Sequence, residues 1–153
     1  MKKQNKLCVS FDFDGTLSKF GIQEFAKDLI AKGIQVWIVT SRPPDTLTDP
    51  ILNDDLFALA DELGIPEKRV VFTAYKDKAD YFLEHPNFIF HLDDDWIEIE
   101  IINKKCKVKG ISVFANADWK EQALELLNKS NNEVELFCEY SGLPSVKAYS
   151  TNK

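Results

Sequence analysis

Phe11-Asp12-Phe13-Asp14-Gly15-Thr16 is the stretch that decides how this chain folds. It follows the apolar run Leu7-Cys8-Val9-Ser10, so it reads as a strand running out into a loop. Residues two apart on an extended backbone share a face, which puts Asp12 and Asp14 on one side, roughly 7 Å apart at Cα. Two anions held that close repel unless a cation or a shared proton intervenes. Mg²⁺ is the economical partner, because it takes hard oxygen ligands and leaves part of its shell to water and phosphate. Gly15 lets the backbone turn and approach a ligand closely. The Thr16 hydroxyl and neighbouring N–H groups can hold a phosphoryl oxygen. The alternative reading is a strand end with an Asp-Gly turn and an incidental second acid.

Working outward, Ile22, Phe25, Ala26, Leu29 and Ile30 recur at helical spacing over 22–32, and Gly33 stops the helix. Residues 34–39 are nearly continuous and β-branched, as in a strand covered on both faces. Strand, helix and strand in so few residues make a βαβ unit with a parallel, right-handed crossover. The second strand ends in Thr40-Ser41-Arg42-Pro43, at the edge where open α/β sheets bind ligands. A turn or capping role is the other reading of Thr40. Residues 42–55, rich in Pro, Asp, Asn and Thr, are the longest irregular stretch and read either as a partial lid or as a surface connection. Arg42 is placed to bind a phosphate or sugar bidentately.

A helix at 56–63, stopped by Gly64 and Pro66, leads to a short strand at 70–72. Residues 75–84 read as a helix capped by Asp77 with Ala79, Phe82 and Leu83 inward. Lys76 and Lys78 flank its start, where the helix dipole disfavours cations unless acids lie opposite. The apolar run 87–92 is a fourth strand closed by Asp93-Asp94-Asp95, three acids that alone would read as a solvated turn. His91 points away from Leu92 and reads as a satisfied core or supporting histidine. Residues 96–109 fit a helix or a hairpin, and we adopt the helix. A fifth strand at 110–114 and an amphipathic helix at 117–129 follow, with Trp119, Ala123, Leu126 and Leu127 on one face. From 130 the chain is polar, with an edge strand expected at 134–140 and a mobile tip at 149–153.

A chain of 153 residues fits one domain, and 44% hydrophobic with 29% charged residues fits a globular protein. We expect a single domain, with a core over about 7–129 and a polar tail over 130–153. The net charge of −6 without a basic tract gives no strong nucleic-acid footprint. No run reaches the roughly 18 apolar residues of a membrane span. Cys8, Cys106 and Cys138 are odd in number and lack metal-ligand spacing, so reduced thiols and a cytoplasmic location are expected.

On D-x-D-G-T after the first strand, Thr40 after the second, a lysine opening the helix at 75–84, and an apolar strand closed by acids, the chain resembles the haloacid dehalogenase (HAD) superfamily. The resemblance implies a three-layer α/β/α sandwich with a mainly parallel sheet of strand order 5-4-1-2-3. No cap domain fits after Asp14, because only a few residues separate it from the first helix. It implies that Asp12 is a nucleophile and Asp14 a general acid and base. Mg²⁺ would be held by Asp12, the Asp14 main-chain carbonyl, Asp93 and its partner Asp94. Thr40 and Lys78, with Lys76 as the alternative, would hold the transferring phosphoryl group. Gly15, Thr16, Ser41 and Arg42 are candidate substrate contacts. The third consecutive acid departs from the family pattern, leaving Asp93/Asp94 and Asp94/Asp95 as alternative registers. The expected activity is an Mg²⁺-dependent phosphatase acting on a phosphorylated small molecule or macromolecule. The alternatives are a nucleotide or polynucleotide-end phosphatase and a non-catalytic binding module.

Overall fold

The computed structural model describes residues 6–140, and side chains as far as Asn131. The five apolar runs form β1 (Cys8–Phe11), β2 (Gln35–Thr40), β3 (Val70–Phe72), β4 (Phe88–Asp93) and β5 (Lys109–Ser112). They make one sheet in the order β3-β2-β1-β4-β5, with every neighbouring pair parallel. This is the parallel α/β architecture expected from the sequence, with the strand order that the resemblance implies. The helices are α1 (Phe20–Ala31), α2 (Asp54–Leu63), α3 (Lys78–Glu84), α4 (Trp96–Lys105) and α5 (Trp119–Tyr140).

Period-two alternation divides the strands between two cores. Val9, Phe11, Val36, Ile38, Phe90 and Leu92 pack with Phe25 and Leu29 of α1, Leu56 of α2 and Leu127 of α5. Val39 and Phe88 pack on the other face with Ala79 and Phe82 of α3 and Ile102 of α4. A fully buried phenylalanine such as Phe11 or Phe82 contributes on the order of 1.5–3 kcal/mol.

One irregularity in this sheet positions the site. Cys8 pairs with Phe88 but Ser10 pairs with His91, so β4 carries an extra residue between them. The bulge keeps Phe88 and His91 on one face although they are three residues apart. Both rings lie against Phe82, with centroids 5.4 and 5.1 Å away. Beyond the bulge, alternation resumes. His91 and Asp93 of β4, with Ser10 and Asp12 of β1 and its end, therefore turn toward α3.

The structure corrects several local expectations. Residues 134–140 are not an edge strand, because α5 runs on to Tyr140. No Gly or Pro interrupts that span, and the Ser130 hydroxyl donates to the Leu126 carbonyl one turn back. The tip at 149–153 lies outside the described residues. Leu83, expected inward, is 52% exposed. The ambiguous I-E-I-E-I-I run is helical, as adopted, because its ends are: Asp95 Oδ1 accepts from the Ile97 and Glu98 N–H groups, and Lys104 and Lys105 occupy the last turn. Among the described residues no helix is long and apolar enough to cross a membrane.

Candidate active site

Because β1 and β4 are neighbours, the acids at their C-terminal ends lie side by side. Asp12, Asp93 and Asp94 each offer a carboxylate oxygen, and these atoms lie within 4.8 Å of one another. Lys78 joins them from the first turn of α3. Its Nζ donates to Asp12 Oδ1 at 2.9 Å and to Asp93 Oδ2 at 2.6 Å, and the side chain is 2% exposed. This is the acidic counterpart that a lysine at a helix N-terminus requires. Lys76 is exposed. Asp77 makes no side-chain cap bond, so the expected cap is corrected: Glu98 of α4 accepts from the Lys78 N–H at 3.1 Å.

One ammonium shared by two buried carboxylates does not serve them equally. Burial pushes the Asp12 carboxyl up to about 8, and neighbouring Asp93 adds to the rise while Lys78 opposes it. Burial also acts on Asp93, yet the hydrogen bond from His91 and the charge of Lys78 outweigh it and hold that carboxyl below its ordinary range. The geometry explains the asymmetry. Asp93 has the shorter lysine contact and also accepts from His91 Nε2 at 2.9 Å and from the Asp95 N–H at 3.0 Å. Burial weighs most on Lys78 too, but Asp12 and Asp93 together overcome it and raise its pKa. His91 is fully buried and held neutral, chiefly by that burial. An anionic Asp93 takes the bond from Nε2–H, which leaves Nδ1 to accept from the Ser10 hydroxyl at 2.8 Å.

The three consecutive acids divide their work. Asp93 and Asp94 belong to the carboxylate group, and Asp95 caps α4. Asp94 lies over Gly15, whose φ is +74° and whose missing Cβ would stand 2.5 Å from Asp94 Oδ2. We expect Gly15→Ala to destabilise the protein by more than about 1 kcal/mol, since both the left-handed backbone and the contact oppose a side chain. It should also weaken Mg²⁺ binding by displacing Asp94. Thermal denaturation with and without Mg²⁺ measures both effects. Thr16, offered as a phosphoryl contact, instead spends its buried hydroxyl on Asp94 Oδ1 at 3.1 Å. The Gly15 N–H is likewise taken, by the Ser18 hydroxyl at 3.1 Å.

Asp14 and Arg42 differ most from expectation. The Asp14 carboxylate lies outside the three-acid group and accepts from Arg42 Nε at 2.9 Å and Nη2 at 2.7 Å. Asp55, on the first turn of α2, takes Nη1 at 2.8 Å and Nη2 at 3.0 Å of the same guanidinium. The bidentate partners of Arg42 are thus two carboxylates, where a phosphate or sugar was expected. The hydrogen bonds that Arg42 donates, to Asp55 first and then to Asp14, raise its pKa above the ordinary value. The 42–55 segment is folded on itself by buried Asn53, whose side-chain amide donates to Pro43 O and Asp45 Oδ1. Thr40 is buried, and its Oγ1 accepts from the Arg42 N–H, whereas Ser41 lines the cavity that also holds Asp12, Lys78, Asp93 and Asp94.

Glu98, Asp55 and Tyr75 also belong to this region and were not singled out from the sequence. An acid in a first helical turn is the only sequence signal for the first two. Nothing in the sequence marks Tyr75. Three buried or half-buried carboxylates with hard oxygen donors fit a divalent cation such as Mg²⁺. Neither the models of known protein families nor the curated proteins contain a match to this chain.

Proposed function

We propose that this protein is an Mg²⁺-dependent phosphomonoester hydrolase of the haloacid dehalogenase type. The observation that carries the reading is the convergence of Asp12, Lys78, Asp93 and Asp94 at adjoining strand ends. Three carboxylates share one ammonium there, and keeping them together without a second cation costs desolvation and repulsion, so the arrangement is an argument for a bound metal ion.

In the proposed reaction an Asp12 carboxylate oxygen attacks phosphorus and the bond to the leaving alkoxide breaks, giving an aspartyl-phosphate. Asp14 gives its proton to that alkoxide. It then takes a proton from the water whose oxygen displaces Asp12 from phosphorus, releasing inorganic phosphate. Both Asp14 oxygens accept from Arg42 in the resting geometry, so proton delivery requires one of them to leave the guanidinium. Asp12, Asp93 and Asp94 would hold Mg²⁺, which would supply positive charge against the phosphate. Lys78 and the Thr40 and Ser41 hydroxyls hold phosphoryl oxygens as charge builds on them.

Acetyl phosphate and p-nitrophenyl phosphate with and without Mg²⁺ test the reading. Phosphate release that EDTA abolishes is expected, and no release from either substrate at millimolar Mg²⁺ overturns it. Asp14→Asn should slow an alkyl phosphate at least about tenfold more than p-nitrophenyl phosphate, because nitrophenolate leaves without a proton. Equal losses on the two esters would remove Asp14 from the acid role.

A further inference from the structure

Two cavities meet at the strand ends. The smaller, about 360 Å³, contains Asp12, Lys78, Asp93 and Asp94. The larger, about 710 Å³, is lined by Pro43, Ile51, Leu52 and Asp54, together with Arg42 and Asp55. Asp14, Ser41 and Tyr75 line both, so they mark the seam between them. We infer that the larger cavity receives the alcohol portion of the substrate, and that it selects a neutral or cationic, ring-bearing alcohol of nucleoside type over one carrying a second anionic group. The inference deepens the phosphatase reading and rests on it for the order in which the two cavities are filled.

The seam is the first argument. In the proposed reaction the scissile oxygen lies beside Asp14, and Asp14 lies where the cavities join. A phosphoryl group in the smaller cavity therefore directs its ester substituent into the larger one. The larger volume falls within the roughly 300–1,000 Å³ of small-molecule sites.

Charge is the second. Three carboxylates, Asp14, Asp54 and Asp55, face this cavity against one guanidinium. That guanidinium is already paired with Asp14 and Asp55. An anionic substituent would find no uncommitted cation there and would face exposed Asp54. Hydroxyl or amino donors would find acceptors.

The third argument is the apolar lining. Ile51 is 68% exposed and Tyr75 79% exposed, so both offer apolar surface to whatever enters the cavity. Tyr75 is held there by its backbone. Ala74 and Tyr75 both have left-handed φ, +52° and +67°, uncommon for residues with a side chain. Their N–H groups are fixed on Arg42 O at 3.2 Å and Ser41 O at 2.8 Å. The end of β2 thereby presents the Tyr75 ring at the seam, where a planar ring can stack on it.

The experiment compares kcat/KM with Mg²⁺ for adenosine 5′-monophosphate, glycerate 3-phosphate and acetyl phosphate, the last small enough to occupy only the smaller cavity. We expect the nucleotide to exceed glycerate 3-phosphate at least a hundredfold. Tyr75→Ala should lower the ratio of nucleotide to acetyl phosphate about tenfold, and Asp54→Lys should lower the ratio of nucleotide to glycerate 3-phosphate about tenfold. Preference for glycerate 3-phosphate in the wild type, or a change below threefold in both variants, overturns the inference. If neither acetyl phosphate nor p-nitrophenyl phosphate is hydrolysed, the phosphatase reading falls by itself, and calorimetric titration with adenosine 5′-monophosphate decides the subsite. Binding that Tyr75→Ala weakens at least fivefold supports it, and no binding at millimolar nucleotide, or binding indifferent to Tyr75→Ala, overturns it.

Discussion

Lys78→Met is expected to destabilise the metal-free protein by about 3–5 kcal/mol, the range for removing one partner of a buried ion pair. Methionine is unbranched and fills similar space, so the change isolates the charge. Asp93 would keep its bonds from His91 and the Asp95 N–H, but the only ammonium within reach of Asp12 and Asp93 among the described residues would be gone. Mg²⁺ should recover part of the loss, since a cation among Asp12, Asp93 and Asp94 replaces the missing charge. Urea unfolding with and without millimolar Mg²⁺ makes the measurement. A cost below about 1 kcal/mol in the metal-free protein would mean that Asp93 is not held as an anion by Lys78.

Asp12→Asn should reduce turnover by about a thousandfold or more, because an amide cannot attack phosphorus while nearly preserving shape. The same substitution carries a stability signature that does not depend on activity. Asp12 is raised from an ordinary 3.8 to about 8. Below pH 4 both the folded and the unfolded chain hold this proton; between there and pH 8 the unfolded chain gives it up while the folded chain keeps it. The folded state then binds more protons, so stability falls as pH rises through this window. His91, held neutral below its ordinary 6.5, acts in the opposite sense, but only below that pH. Asp93, held low, acts below 3.8. From pH 6.5 to 8 the Asp12 effect therefore stands alone among these three, a decline on the order of 1–2 kcal/mol in the metal-free protein. Melting curves should show this decline in the wild type and a flatter profile in Asp12→Asn. Parallel profiles would place the proton elsewhere.

The sheet was legible because each strand is a short apolar run bounded by breakers, and because brief strand-helix-strand spacing leaves parallel crossovers as the natural connection. The acids at two strand ends and the lysine at a helix start were legible for the same reason: each stands out against its local rule. What the chain concealed depends on partners distant in sequence. Nothing near Arg42 announces that Asp14, 28 residues earlier, and Asp55, 13 residues later, will take its donors. The Glu98 cap on Lys78 joins two helices 20 residues apart. Residues 134–140 misled in another way. V-E-L-F-C-E-Y is rich in residues that favour strands, but a helix already under way propagates more easily than a new strand starts, and no breaker stands between.

The β1–β4 adjacency also sets a timetable for synthesis on the ribosome. The strand-helix-strand unit of β1, α1 and β2 emerges first, with Asp12 at its edge. The lysine that balances Asp12 comes 66 residues later, and the Ser10–His91 bond spans 81 residues. At about 5–20 residues per second, His91 is added roughly 4–16 s after Ser10. Until then the nascent sheet has β1 as an open edge, and until Lys78 is made Asp12 has no counter-ion. A stable N-terminal half is therefore disfavoured, and the centre of the sheet closes only once the fourth strand has been made.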